Sequence, residues 1–459
     1  MKRSVGLVLV LMSVAGMVFA GGGGQQGASS SAGGSQKTVI TVWSQSRHDL
    51  AFIQSKVDAY NASNKDNIEV RYEIYTDNYP QAVDLVFQTG EAPDILIEAD
   101  VFTIHQYSGK WAPLDPFIDQ EFKNLFGTLQ WNGYNVIDGK TYFIPTFGTS
   151  NRLFYNISIF KRLGLQPPKT LEEMVETSRK ITSALKSEGI YGFAQNLRGA
   201  TAGLSRSLMP MGDRALGIHQ GFDFGKGEYD FTGYEAIMNG WKQLLSPDSA
   251  FPGCESMDID PLRTQFAAGK IGMYFSWTHA EPGVYTTQFP TNQEWGAVQI
   301  PTPGGVVKGA QYFNKTNSYL IYAGSKNKEA AWKVYKALFL DIPFWTEYYE
   351  QGFGISLIPE VIKRANPAPV YKNNPAMLIG DTDKIWPLTP HEVNPSAVAV
   401  EGLNFYDTWA AIIWGQLDVK RGLADLTARY NKAYREGIAR GVGKEIKIPN
   451  FNPMKPLGN

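Results

Sequence analysis

Apolar and polar positions follow two different rhythms along the early part of the chain. Val39, Ile40 and Val42 mark a short strand over residues 38–43, after which Leu50, Ile53, Val57 and Tyr60 recur at the spacing of one helix face. Ile68, Val70, Tyr72 and Ile74 return to period two, which predicts a second strand. Ala82, Leu85 and Val86 predict a short helix ending at Gly90, and residues 94–98 resume an apolar strand. This β-α-β-α-β order predicts an open α/β sheet with parallel neighbours and helices on both faces. Ligands of such sheets lie beyond the carboxyl ends of the strands, so the residues just past those ends are the first site candidates.

Further along, Thr170 with Glu173 three places on predicts a helix start, and Met174, Ile181 and Leu185 share one face of that helix. Leu262 and Phe266 lead through a Gly-Lys turn into a strand at Ile271–Trp277. Trp332, Tyr335 and Phe339, and later Leu423, Leu426, Tyr430 and Tyr434, predict two more helices.

The N-terminus follows neither rhythm. Lys2 and Arg3 precede an apolar run over residues 5–18, a small-residue exit at Ala20, and a Gly/Ser/Gln-rich tract to residue 36. That order predicts a secretory signal peptide (1–20) and a flexible tether (21–36). The run is shorter than the roughly twenty apolar residues a bilayer core requires. The chain is therefore expected to work outside the cytoplasm, in the periplasm or secreted, where ATP and nicotinamide cofactors are not available. Cys254 is the one cysteine, so no intrachain disulfide forms, and Gly21 stands where a lipoprotein carries its acylated cysteine. A net charge of −1 implies no nucleic-acid partner. The five histidines are too scattered to predict a metal site, and no cofactor is expected.

A series of motifs then sets a family resemblance. Thr41-Val42-Trp43-Ser44 is followed by Thr89-Gly90-Glu91-Ala92-Pro93-Asp94-Ile95-Leu96, Gly109-Lys110-Trp111-Ala112-Pro113-Leu114-Asp115 and Asp138-Gly139-Lys140-Thr141-Tyr142. Leu153-Phe154-Tyr155-Asn156, Phe266-Ala267-Ala268-Gly269-Lys270, Ile300-Pro301-Thr302-Pro303 and Gly352-Phe353-Gly354-Ile355 continue the order. In this order the chain resembles the family 1 extracellular solute-binding proteins of bacterial ABC importers, the maltose-binding type. The resemblance implies a two-lobe periplasmic-binding-protein fold with a hinge and an interlobe cleft. It places lobe 1 at 37–147 with about 312–365, and lobe 2 at 148–311 with about 366–459. It also implies a monomer that captures a carbohydrate, an oligosaccharide in first expectation, and delivers it to the transmembrane permease subunits. One departure is that Trp277 stands where the family often has a Gly before a Pro-Trp pair, which brings His279 near the usual tryptophan.

Aromatic residues are 13 % of the chain, with eleven Trp. A flat ring can cover the apolar C–H face of a sugar while amides and carboxylates bond its hydroxyls. Trp43 and Trp277 end strands, and Trp386 lies in a Pro-rich stretch after an expected crossing, so these three are the ring candidates. Trp332, Trp345, Trp409 and Trp414 fall in helical patterns and are read as packing. Polar candidates are Ser44, Gln45 and Arg47 after the first strand, Glu98 and Asp100 after the third, and Thr149 and Asn151 in the first crossing. Asn196 ends a further strand, Tyr312 and Asn314 flank the second crossing, and Gly354 closes the last motif. Asp94, after Pro93 at a strand start, is read as a cap on local backbone.

Two rival functions remain in view. A glycan-active enzyme needs paired carboxylates, for which Glu98 with Asp100 or Asp258 with Asp260 are the available pairs, although side chains two apart bring no special acid–base pairing. A receptor for glycerol phosphate, an opine-like osmolyte or a metal chelate is the alternative, and Arg47, Arg152 and Arg198 are the cations a phosphate would recruit.

Overall fold

The computed structural model describes residues 37–75, 79–98, 102, 109–316 and 318–458. The leader, the tether and Asp100 lie outside the described residues. The remainder forms one compact α/β unit with two main sheets.

The early rhythm folds as read. Strands β1 (Thr38–Ser44), β2 (Ile68–Ile74) and β3 (Ile95–Ile97) alternate with helices α1 (Leu50–Ser63) and α2 (Tyr79–Thr89). β1 lies between its two parallel neighbours, with Val42 opposite Tyr72 on one side and Ile95 on the other. Ile40 and Val42 are fully buried, and Ile53 and Val57 of α1 pack into the same core. Gly90, at φ +76°, takes the left-handed conformation that ends α2 cheaply only for glycine. The Asp94 carboxylate accepts the Thr41 N–H (3.0 Å) and the Ser325 hydroxyl (2.6 Å), so it fastens two distant segments rather than capping its own turn.

The second sheet is built around one long strand. β4 (Phe147–Asn156) pairs antiparallel with β6 (Ile271–Trp277), β7 (Trp295–Val298), β8 (Gln311–Thr316) and β10 (Ile355–Ser356). β5 (Tyr191–Phe193) runs parallel to β6, and β11 (Asp383–Lys384) parallel to β8. After β8 the chain crosses to the first sheet, where β9 (Tyr319–Ile321) pairs antiparallel with β3.

Strand alternation sorts the second sheet between two cores. Phe154 and Tyr274 face the core shared with the first sheet, whereas Leu153, Met273 and Phe275 face a core closed by the C-terminal helices. That second core includes Leu423, Leu426, Tyr430 and Tyr434 from the helix Val419–Ala439, the period read from the sequence. The Thr170 hydroxyl accepts the Glu173 N–H (3.1 Å) and starts Leu171–Leu185 as expected. The Glu173 carboxylate, however, accepts the Lys169 N–H one residue earlier than a reciprocal capping box requires.

Candidate functional site

The face carrying Leu153 and Phe275 continues toward the carboxyl end of β6, where it changes from apolar to polar. Register sets Trp277 opposite Asn151 and Asn314 opposite Thr149, and the same parity puts Tyr312 beside Asn151. Five of the residues singled out from sequence therefore share one face of three adjacent strands. Both amide atoms of Asn151 and the Asn314 Oδ1 are buried without a hydrogen-bond partner among the described residues. Native interiors rarely leave such atoms unpaired, because an unpaired buried amide costs about 1–3 kcal/mol. Trp277 is half-buried, and its indole has no hydrogen bond and no ring neighbour among the described residues. Tyr312, the other aromatic residue on this face, stacks on His219 at 4.7 Å.

The polar rim comes from loops of both sheets. The His279 imidazole bonds the Thr149 hydroxyl (2.8 Å) and lies 5.5 Å from the His48 ring, whose Nε2 is 3.0 Å from the Phe353 carbonyl. Burial first, then the neighbouring His48, Arg263 and Arg206, push the His279 pKa well below the ordinary imidazole value, so the ring is neutral at pH 7. Arg47 reaches from the end of β1 to Asp260 at 3.6 Å. Glu281 is fully buried; it accepts the Arg263 guanidinium at 3.0–3.3 Å and the Ser276 hydroxyl. The loop after β5 closes one side: the Gln195 side chain bonds both the N–H and the carbonyl of Phe275 and donates to the Asn196 Oδ1 at 3.1 Å. Asn196 is thereby held buried beside the end of β6.

Other sequence candidates serve different contacts. Trp43 is only 7 % exposed; its Nε1–H donates to Glu73 at 2.9 Å and its ring lies 3.9 Å from Tyr75. Ser44 is buried and its hydroxyl accepts the Ser46 N–H, while Gln45 and Arg47 are exposed. Glu98 is buried after β3 and its N–H donates to the Ser318 carbonyl at 2.7 Å. Trp386, read as a cleft residue, is instead 1 % exposed in the second core between His219 and Phe451. Gly354, read as a site residue, is instead a packing position, since a Cβ there would stand 2.9 Å from both the Phe147 and Tyr348 rings.

Residues 44–341 match the family model of the bacterial extracellular solute-binding proteins. The chain belongs to that family. A Brucella abortus (strain 2308) protein named only as a binding protein is 26 % identical to this solute-binding protein over 230 residues, which is 50 % of this chain and 53 % of the relative. A Brucella suis biovar 1 protein, also named as a binding protein, matches to the same extent, so the chain spans about half the length of the curated relatives it matches. Among solved structures, one from work on xylan utilization by Caldanaerobius polysaccharolyticus superposes with a TM-score of 0.71 at 18 % identity, covering 86 % of this chain and 100 % of that one. A maltose/maltodextrin-binding domain of Bdellovibrio bacteriovorus bound to maltotriose gives 0.65 at 17 % identity, over 87 % and 100 % of the two chains. At such identities these structures establish the two-lobe α/β fold.

The cations proposed from sequence for a phosphate are all occupied in this solute-binding protein. Arg47 pairs with Asp260, Arg198 with Asp258 at 2.7 Å, and Arg152 with Asp383 at 2.8 Å. Arg152 also donates to the Ala376 and Leu378 carbonyls, deep beneath the sheet. Sequence reading passed over His48, Arg206, Arg263 and Glu281. No local pattern marks them, because what sets them apart is whether a partner from a distant segment meets each charge.

Proposed function

We propose that the protein is the extracytoplasmic receptor of an ABC importer that captures a carbohydrate of oligosaccharide size and delivers it to the membrane permease. The observation that carries this reading is the pairing of an unpartnered, half-buried Trp277 with an unpartnered Asn151 amide on one face at the strand ends. An indole covers the C–H face of a pyranose, and the amide offers donors and an acceptor to its hydroxyls. Thr149, Tyr312, Asn314 and His279 surround the pair, and Arg47 and His48 approach it from the first sheet. In this reading lobe 1 is residues 37–147 with about 312–365, lobe 2 is the remainder, and ligand contacts to both shift the population toward a closed form.

Release of the ligand intact is part of the proposal. Of the carboxylates an exported hydrolase would use, Asp258 is held by Arg198, and Asp260 is held by Arg47 and Arg263. The test is a calorimetric and thermal-shift screen over mono- and oligosaccharides, polyols and glycerol phosphate, with small-angle scattering on each binder and chromatography of the recovered ligand. Binding with compaction and unchanged ligand is expected. Smaller products, or no compaction with any binder, would overturn it.

A further inference from the structure

Arg206 lies between the short helix Ala200–Leu204 and the helix Leu208–Leu216, and this turn is tied to the strand that ends at Trp277 because Gln195, which bonds the Phe275 backbone, also donates to the Gly203 carbonyl at 3.3 Å. Its side chain makes no hydrogen bond and no ion pair among the described residues, and its Nη1 is buried without a partner. The charged groups close enough to act on it are Arg263, Glu281 and Asp260, and Arg206 in turn acts on His279. Each other charge in the cluster has a counterpart. Glu281 takes the bidentate grip of Arg263, and Asp260 takes Arg47 with a second contact from Arg263. His279 is neutral, and Asp258 next door is matched by Arg198. Arg47, Arg206 and Arg263 against Asp260 and Glu281 leave one positive charge over, and the unpaired one is the guanidinium of Arg206.

Resting on the receptor reading above, we infer that the ligand is an acidic saccharide whose single carboxylate pairs with Arg206 while its ring lies on Trp277. Uronate-containing oligosaccharides are the class that joins these two features. A guanidinium presents two parallel N–H donors that match a carboxylate's two oxygens, and burial strengthens the pair while penalising a neutral occupant that leaves the cation unmatched. One excess charge fits one carboxylate, whereas a phosphate monoester carries about 1.5 to 2 charges at neutral pH and would leave negative charge uncompensated. The environment agrees in sign: burial first, then the like charge of Arg263, lower the Arg206 pKa to about 10, as expected for a half-buried cation with no anion bonded to it.

The experiment titrates the full chain with trisaccharide trimers that carry one uronate (galacturonate, glucuronate or mannuronate) on two neutral hexoses, each as the free acid and as its methyl ester, with neutral trisaccharides and glycerol phosphate alongside. The free acid of at least one trimer is expected to bind about tenfold or more tighter than its ester. Arg206→Gln is expected to remove that preference while leaving ester binding in place, and ester binding also reports that the variant is folded. Arg206→Lys, which keeps the charge but not the paired donors, is expected to retain part of the preference. Equal affinity for acid and ester in the wild type would overturn the inference and leave the receptor reading standing. Binding of glycerol phosphate lost in Arg206→Gln would reassign the cation to a phosphate and overturn it as well. Failure of every saccharide, acidic or neutral, would remove both readings.

Discussion

Asn151 on β4 stands directly opposite Trp277 on β6, and neither the amide of one nor the indole of the other has a partner among the described residues. The relationship follows from register alone. Two rows deeper, Leu153 opposite Phe275 makes the same face part of the second core. A face that is apolar inside and turns polar but unsatisfied at its end is arranged to receive something that supplies both C–H surface and hydroxyls.

Replacing Trp277 with Ala should therefore weaken saccharide binding by about tenfold or more, from loss of roughly 1–2 kcal/mol of shielded apolar surface. Because the ring touches no aromatic neighbour among the described residues, the thermal midpoint of the free protein should move little. Calorimetry with the best-binding sugar and a melt without ligand check both halves. Unchanged affinity would remove Trp277 from the site.

Asn151→Leu tests the amide with the opposite sign on stability. Removing a buried, unpartnered polar group should stabilise the free protein, by about 1 kcal/mol, while the saccharide-induced rise in midpoint disappears. A fall of the free-protein midpoint by several degrees would mean the amide already has a partner in solution.

The extent to which the sequence was legible follows the same physical division. Period-two and helical spacings placed β1, β2, β3, α1 and the helix at Leu171–Leu185, because burial of one face is a local pattern. The same logic located Trp277 at a strand end, whereas Thr149 and Asn151, read as part of a crossing, lie inside β4. It could not tell which way a ring at a strand end or in a loop turns. Trp43 turns onto Tyr75 and Glu73, and Trp386 turns into the second core, both decided by segments distant in sequence. Charge pairing was the least legible of all: Arg152 and Arg206 look alike in sequence, yet one is enclosed by Asp383 and two carbonyls and the other has no counterion among the described residues.

Arg152 and Asp383, both fully shielded from solvent, pin the long strand β4 to the segment 376–384. Arg152→Met should destabilise the fold by about 3–5 kcal/mol, since it leaves the Asp383 carboxylate buried without its cation. The double variant Arg152→Met with Asp383→Leu should regain much of that loss, because no uncompensated charge remains. Urea unfolding of the four proteins in the cycle checks this. A small effect of the single substitution would show that water reaches Asp383.

His219 supplies a pH dependence whose direction is fixed by its surroundings. Its Nδ1 lies 3.2 Å from Asp213 and its Nε2 3.8 Å from Glu392, while Tyr312 and Trp386 cover its ring. Burial lowers its pKa, but the two carboxylates outweigh burial and raise it to about 10, above the ordinary value of about 6.5 in the unfolded chain. A cation whose folded pKa is raised contributes stability that is complete below about pH 6.5 and is lost as pH climbs to about 10. The midpoint difference between the wild type and His219→Asn should thus be largest near pH 6 and shrink steadily toward pH 10, because over that window only the wild type surrenders a buried ion pair. Melting curves of both proteins in matched buffers measure it. A difference that stayed constant across the window would mean that His219 is neutral in the folded protein and that Asp213 is balanced by another group.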